Sequence, residues 1–280
     1  MELRACVDAL KPQLLSTLRQ NIQIPSVQGE AEDGAPYGAS VRESLVHVLN
    51  TARELGFRTE NMDGHLGWCE YGEGDEMVAV LGHLDVVPAG DGWSCDPFGG
   101  ELRGGKIWGR GATDDKGPAI ASLFALTALR DSGLPIRRRI RILFGCNEEA
   151  GSDDIKYYLG NGGEIPVMGF TPDGEYPVIN GEKGILNGTY SRKLHQTGEY
   201  RLTKFEGGAA SNISPAYAAA ELKCPADAAA KISADKVTVT PIEGGIRVEA
   251  EGIAVHGSTP EQGENAIGRL AQALNQLPLT

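Results

Sequence analysis

The stretch Met77-Val78-Ala79-Val80-Leu81-Gly82-His83-Leu84-Asp85 decides how this chain reads. Its five apolar residues predict a buried strand that stops at a glycine. The next polar side chains are an imidazole and, two residues on, a carboxylate. On an extended backbone residues i and i+2 point to the same side. His83 and Asp85 therefore face one space, with the carboxylate in reach of the ring. A histidine held by a carboxylate is how proteins aim an imidazole at a metal. Taken alone the pair is weak, because it also reads as a hydrogen-bonded surface pair at a strand end.

The pattern around it is an alternation of helices and strands. Leu10, Leu14, Leu15 and Leu18 recur at helical spacing, and Val41, Leu45, Val48, Leu49, Ala52 and Leu55 form a second apolar stripe that Gly56 ends. Strands follow around 57–62 and 67–71. A glycine-rich loop runs from Pro88 to Asp115, and Gly117-Pro118 opens a helix through Ile120, Leu123, Phe124 and Leu129. A strand over 140–144, a short helix over 152–159 and a strand over 167–171 complete the run. This predicts an α/β fold, a mixed and largely parallel sheet flanked by helices. After about Gly181 the texture changes to half-exposed strands at 200–205, 237–240 and 246–251, separated by alanine-rich stretches that read as helical. The expected domains are 1–182, carrying the chemistry, and 183–280, an α+β domain that stops in mid-pattern after a helix over 265–277.

The 280 residues, 41% of them hydrophobic, suffice for one large domain or two smaller ones. A net charge of -12 argues against a nucleic-acid partner, which needs a basic face. The one basic cluster, Arg137-Arg138-Arg139-Ile140-Arg141, leads into an apolar strand and reads as a solvated strand entry. No apolar run approaches the roughly 20 residues that span a bilayer, and no signal-peptide pattern opens the chain, so no membrane partner is expected. Cys6, Cys69, Cys95, Cys146 and Cys224 form no Cys-x-x-Cys pair and read as thiols of a cytoplasmic protein.

Acidic or imidazole groups fall at strand ends or glycine-rich turns in four places: His83-Leu84-Asp85, Asp114-Asp115-Lys116-Gly117, Asn147-Glu148-Glu149 and Pro172-Asp173-Gly174-Glu175. Sites of open α/β sheets form outside the carboxyl ends of strands. Adjacent glutamates would repel if buried unpaired, and a dication removes that cost. One histidine with several carboxylates suits zinc, manganese or cobalt better than a thiolate or all-oxygen site would.

The segment from Leu81 to Pro88, then Gly109-Arg110-Gly111-Ala112-Thr113-Asp114-Asp115-Lys116-Gly117, then Asn147-Glu148-Glu149-Ala150-Gly151-Ser152, resembles the co-catalytic di-zinc metallopeptidase family of aminoacylase, carnosinase, glutamate carboxypeptidase and succinyl-diaminopimelate desuccinylase. Phe170-Thr171-Pro172-Asp173 and Val255-His256-Gly257-Ser258-Thr259-Pro260, with Gly263-Glu264-Asn265-Ala266, are similar to its bacterial beta-alanyl dipeptidase branch. The resemblance implies two divalent ions, zinc first, with manganese or cobalt as alternatives. His83 and Asp173 would bind one ion, Asp114 would bridge both, and Glu149 would bind the second. Asp85 would orient His83. Glu148 would be the general base that moves a proton from the attacking water to the leaving amine. His256, from the lid, would stabilise the oxyanion, and Asn212 would lie near the substrate. A cis peptide is implied between Asp114 and Asp115. The implied partner is a small peptide, and the full-length enzyme is expected to be a monomer.

The chain departs from the family in one respect. The histidine that the family supplies to the second metal from a later segment has no counterpart here, since none follows His256. The expectation is a truncated gene or the N-terminal piece of a longer enzyme, with an incomplete lid, fewer than two equivalents of metal and low activity. Two other functions remain open: a metal-dependent N-acyl-amino-acid amidohydrolase, and a metal-binding remnant without catalysis. His47, His65 and His195 read as structural or surface histidines. Gly104-Gly105-Lys106 lacks the ending of a phosphate loop.

Overall fold

The computed structural model describes residues 2–279 apart from 91, 175, 182 and 209, and it divides into two units, Met1–Ile179 and Asn180–Thr280. In the first, α1 (Leu3–Ile22) and α2 (Ala39–Glu54) precede β1 (Arg58–Met62), β2 (Leu66–Tyr71) and β3 (Met77–His83). A hairpin of β4 (Glu101–Arg103) and β5 (Lys106–Trp108) leads to α3 (Lys116–Ser132). Then come β6 (Arg139–Gly145), α4 (Asp153–Gly160) and β7 (Met168–Phe170). The α2 stripe Val41, Leu45, Val48, Leu49 and Ala52 is buried. It rests against β2 at Gly67, where an added Cβ would lie 2.8 Å from Leu45 and Leu49 methyl carbons.

The sheet order is β1-β2-β6-β3-β7. The pairings of β3 with β6 and with β7 are parallel, whereas β1·β2 and β2·β6 are antiparallel. The sheet is thus mixed, and its parallel part is the half that carries the chemistry. Parallel pairing sends the carboxyl ends of β6, β3 and β7 to one edge. His83 is the last residue of β3 and sits in register with Gly145, the last of β6. Ile120, Leu123, Phe124, Ile142 and Phe144 are fully buried, or nearly so, in one core between α3 and this sheet. Burying side chains of this size contributes about 1.5–3 kcal/mol each.

The second unit is a four-stranded antiparallel sheet, order β11-β12-β10-β8, with α5 (Ala266–Leu274) packed against it. Its strands are β8 (Arg201–Gly207), β10 (Tyr217–Lys223), β11 (Val237–Ile242) and β12 (Gly245–Glu251). The short pair β9 (Ile213–Ser214) and β13 (Val255–His256) lies apart from that sheet. The alanine-rich stretch expected to be helical is β10. Ala218, Ala220 and Leu222 alternate onto the face that packs against Leu270 and Ala273, and the small side chains let α5 approach. Tertiary packing overrides alanine's helical preference there. A second alanine-rich stretch, Ala228–Lys231, forms only a 3-10 turn. Asn265 caps α5 through its side chain, which accepts the Gly268 N–H at 3.0 Å.

Candidate metal centre

Each acidic stretch enters the site from a different element. His83 ends β3, Asp114 precedes α3, Glu148 and Glu149 follow β6, and Asp173 follows β7. Glu175, of the fourth acidic stretch, lies outside the described residues. His83 is buried, and its Nε2 lies 3.1 Å from Asp114 Oδ1, 3.5 Å from Asp173 Oδ2 and 4.0 Å from Glu148 Oε2. Its Nδ1 faces the Asp85 backbone carbonyl at 2.9 Å and Asp85 Oδ1 at 3.4 Å. Both are acceptors, so Nδ1 carries a proton and Nε2 is the nitrogen left to bind a cation.

Asp85 is 1% exposed, and its carboxylate is used twice. Oδ1 accepts the Glu148 N–H at 3.2 Å and Oδ2 accepts the Glu149 N–H at 3.1 Å. The residue that helps to aim the imidazole also holds the backbone of the two glutamates. Asp115, fully buried, accepts the His83 N–H at 2.9 Å through Oδ2. Gly82 is what makes room for it: an added Cβ would sit 2.6 Å from that oxygen. The Asp114–Asp115 peptide is cis. Lys116, also fully buried, donates to the Asn21 and Ile24 carbonyls at 2.7 and 2.8 Å and so fixes the start of α3 to the end of α1. The sequence assigns neither Asp115 nor Lys116 a role; their place in the Asp114–Gly117 stretch and the cis peptide implied before Asp115 are the signals that point to them.

Without a cation the charges strain against one another. Burial opposes a proton on His83, but the Asp114 and Asp85 carboxylates outweigh it and push the ring up to about 11. Burial, then the neighbouring Asp114, pushes Glu149 up to about 7, and burial raises Glu148 as well. Asp114, beside His83, is held below the usual carboxylate range. Two donor groups share the histidine, His83–Asp114–Glu149 and His83–Glu148–Asp173, and in each the ligating atoms lie within 4.8 Å of one another. One nitrogen and four carboxylates fit a divalent ion of the zinc, manganese or cobalt kind.

His256 and Asn212 lie in the second unit and are neighbours there. His256 pairs with Ile213 across β13 and β9, and the Gly257 N–H donates to the Asn212 carbonyl at 2.6 Å. A cavity of about 630 Å³ opens beside them, lined by Gly207, Ser211, Ile213, Gly257 and Asn265. His256 is exposed, and its Nδ1 accepts the Ser258 N–H at 3.2 Å with Ser258 Oγ at 2.7 Å. His47 and His65 are structural: His47 bonds Asn21 at 3.1 Å, and His65 bonds Tyr37 at 2.9 Å and stacks on Tyr157. All five cysteines are free thiols. Among the described residues no helix is long and apolar enough to cross a membrane.

Residues 79–253 match the sequence profile of peptidase family M20/M25/M40, and residues 244–280 match that of a peptidase dimerisation domain. The second match speaks for a dimer and against the monomer expected from the sequence. A Beta-Ala-Xaa dipeptidase of Lactobacillus delbrueckii subsp. lactis is 34% identical over 99% of this chain and 61% of its own length. The protein YtjP of Bacillus subtilis is 36% identical over 96% of this chain and, again, 61% of its own length. The chain therefore spans about 61% of the length of these curated relatives. Among solved structures, human carnosine dipeptidase 1 is 25% identical with a TM-score of 0.52, over 62% of this chain and 41% of that one. With four sequence motifs converging on one strand-end site of the first unit and a profile match across residues 79–253, the protein belongs to peptidase family M20/M25/M40.

Proposed function

We propose that this protein is a metal-dependent dipeptidase that hydrolyses small dipeptides, β-alanyl dipeptides among them. The observation that carries the reading is the pair of adjacent glutamates after β6, held by both carboxylate oxygens of Asp85 next to a histidine that faces three further carboxylate oxygens. The names of the Lactobacillus and human relatives support the substrate class. His83 and Asp173 would hold one divalent ion and Glu149 a second, with Asp114 shared, and zinc suits the donors first. Bound ions supply Lewis-acid polarisation of the scissile carbonyl and acidify the attacking water.

The chain's own residues do the rest. Glu148, raised by burial and half-exposed, takes the proton of the water and returns it to the departing amine. Asp85 and Asp115 hold Glu148 and His83 by their backbone amides, so the groups need not reorganise during the reaction. His256, with Nδ1 engaged by Ser258, offers Nε2–H to a developing oxyanion, and Asn212 contacts the substrate. The dimerisation-domain match favours a dimer, and the free cysteines suit the cytoplasm.

The test is a substrate panel of carnosine, other dipeptides and N-acetyl amino acids, run on the full-length protein with zinc, manganese or cobalt. Dipeptide hydrolysis that is lost with a chelator and in Glu148→Gln is expected. Turnover confined to N-acetyl amino acids would replace this reading with an amidohydrolase, and metal binding without any hydrolysis would leave a remnant.

A further inference from the structure

Asp154 takes no part in the chemistry above, yet it is 1% exposed on the first turn of α4. An isolated buried carboxylate is costly, and accepting several backbone N–H groups offsets that cost. Among the described residues its hydrogen bonds all go to backbone. Oδ2 accepts from Cys146 at 2.7 Å and Asn147 at 3.0 Å, and Oδ1 accepts from Ile155 at 2.7 Å. Cys146 and Asn147 are the two residues between the end of β6 and Glu148.

The local sequence is built around this grip. An added Cβ on Gly145 would lie 2.7 Å from Asp154 Oδ2, so the strand ends in glycine where the carboxylate comes in. Asn147 Oδ1 accepts the Asp153 N–H at 2.9 Å, and the Asn147 carbonyl accepts the Ser152 N–H at 2.8 Å. Ser152 makes the return with φ of 56°. The loop is thus closed on itself at 146–147, while Asp85 takes the next two amides, those of Glu148 and Glu149. Four successive backbone N–H groups end on two buried carboxylates. The Glu148 side chain is half-exposed, so its direction is set chiefly by that backbone.

We propose that Asp154 is a positioning residue for the Glu148–Glu149 pair: together with Asp85 it makes residues 146–149 one rigid backbone unit that aims both glutamates. Only the activity measurement below rests on the dipeptidase reading.

The test combines amide hydrogen exchange on the full-length, metal-free protein with kinetics. In the unmodified protein the amides of Cys146, Asn147, Glu148 and Glu149 should open together. Asp154→Ala should deprotect all four, and Asp154→Asn, which keeps an oxygen for Cys146 and Asn147, should restore most of the protection. The same order should appear in turnover. Asp154→Ala should lower kcat by about 10- to 100-fold with KM within about threefold, the size expected when a reacting group is slightly misplaced. Asp153→Asn is the control: it removes the same charge one residue away, from an exposed side chain paired with Lys156, and should change nothing. Independent opening of Glu148 and Glu149 in the unmodified protein would overturn the proposal, even if Asp154→Ala failed to fold. So would an Asp154→Ala protein that deprotects only Cys146 and Asn147. If no dipeptide is turned over by the unmodified protein, the exchange result still decides.

Discussion

Asp85 Oδ1 accepts the backbone N–H of Glu148 at 3.2 Å, although the two residues are 63 positions apart. The bond joins the end of β3 to the loop after β6, so the imidazole and the proposed base are set against each other by one carboxylate. Asp85→Asn replaces one oxygen by an NH2 group that faces an N–H. Asp85→Ala removes both acceptors and leaves two amides unpaired. Loss of such a supporting group costs about 10- to 100-fold in metal affinity or activity. Steady-state kinetics should show Asp85→Ala below Asp85→Asn, with the loss in kcat rather than KM. Metal affinity should fall in the same order by calorimetry, because His83 loses one of its two acceptors.

Metal binding should release protons in an amount that depends on pH. His83, pushed up to about 11 in the metal-free protein, must give up the Nε2 proton to become a ligand at any working pH. Glu149, pushed up to about 7, is protonated below that pH and ionised above it. Zinc binding should therefore release about two protons near pH 6 and about one near pH 8.5. Calorimetry in buffers of different ionisation enthalpy counts them. An equal release at both values would mean that Glu149 is not a ligand.

The stability of the metal-free chain has a related signature. Glu149 and Asp115 both have folded pKa values of about 7, above their ordinary 4.5 and 3.8, through burial first. Between about pH 5 and 7 the folded state holds protons that the unfolded chain has lost, so stability falls as pH rises. Above 7 two groups oppose. His83, raised to about 11 from 6.5, continues to withdraw stability with rising pH. Burial lowers Lys116 from 10.5 to about 7, so the folded state has lost a proton that the unfolded chain keeps, and stability returns with rising pH. One proton on each side cancels, giving a plateau that ends near pH 9, where the buried Cys69 and Cys146 thiols, pushed up from 9.0, begin to withdraw stability again. Urea midpoints in the presence of a chelator at about pH 5.5, 7 and 8 should fall and then level.

The strand-end site was legible because two of its four stretches follow an apolar run ended by glycine, Gly82 before His83 and Gly145 before the Glu148–Glu149 pair. Those glycines were read as strand stops. Their physical reason, room for the Asp115 and Asp154 carboxylates, depends on residues 33 and 9 positions later and has no local signature. For the same reason the pattern His83-x-Asp85 showed that ring and acid share a side, but not that both acid oxygens turn to the amides of Glu148 and Glu149. The antiparallel β1 and β2 could not be told from parallel strands, since alternation along a strand does not encode its partner's direction. Asn212 and His256 were found in separate motifs, and the β9–β13 pairing that joins them is only two residues long.

His256 allows a test of tautomer as well as of role. A backbone N–H can only donate, so the Ser258 amide at 3.2 Å makes Nδ1 the acceptor and places the proton of the neutral ring on Nε2. Nitrogen NMR of the imidazole at neutral pH should show the Nε2–H form. Removing a donor to an oxyanion costs about 100- to 1,000-fold in kcat, and His256→Ala should fall in that range, with His256→Gln, which keeps an N–H, above it. An Nδ1–H ring would contradict the hydrogen bond, and an unchanged kcat would contradict the role.

Alanine at 220 is set by the sheet. It is 1% exposed, pairs with Val248 and Phe205 on either side, and lies in the core that contains Leu270 and Ala273 of α5. In a solvent-facing helix, Ala220→Leu would be nearly neutral, because both residues are good helix formers. In β10 the extra carbons must displace α5 or leave a preferred rotamer, and overpacking of this kind costs about 1–3 kcal/mol. Thermal melts should show the second unit destabilised by that amount. Metal binding should survive in the same variant, because every proposed ligand lies between residues 83 and 173, within the first unit. A melt unchanged from the unmodified protein would return this stretch to a surface helix.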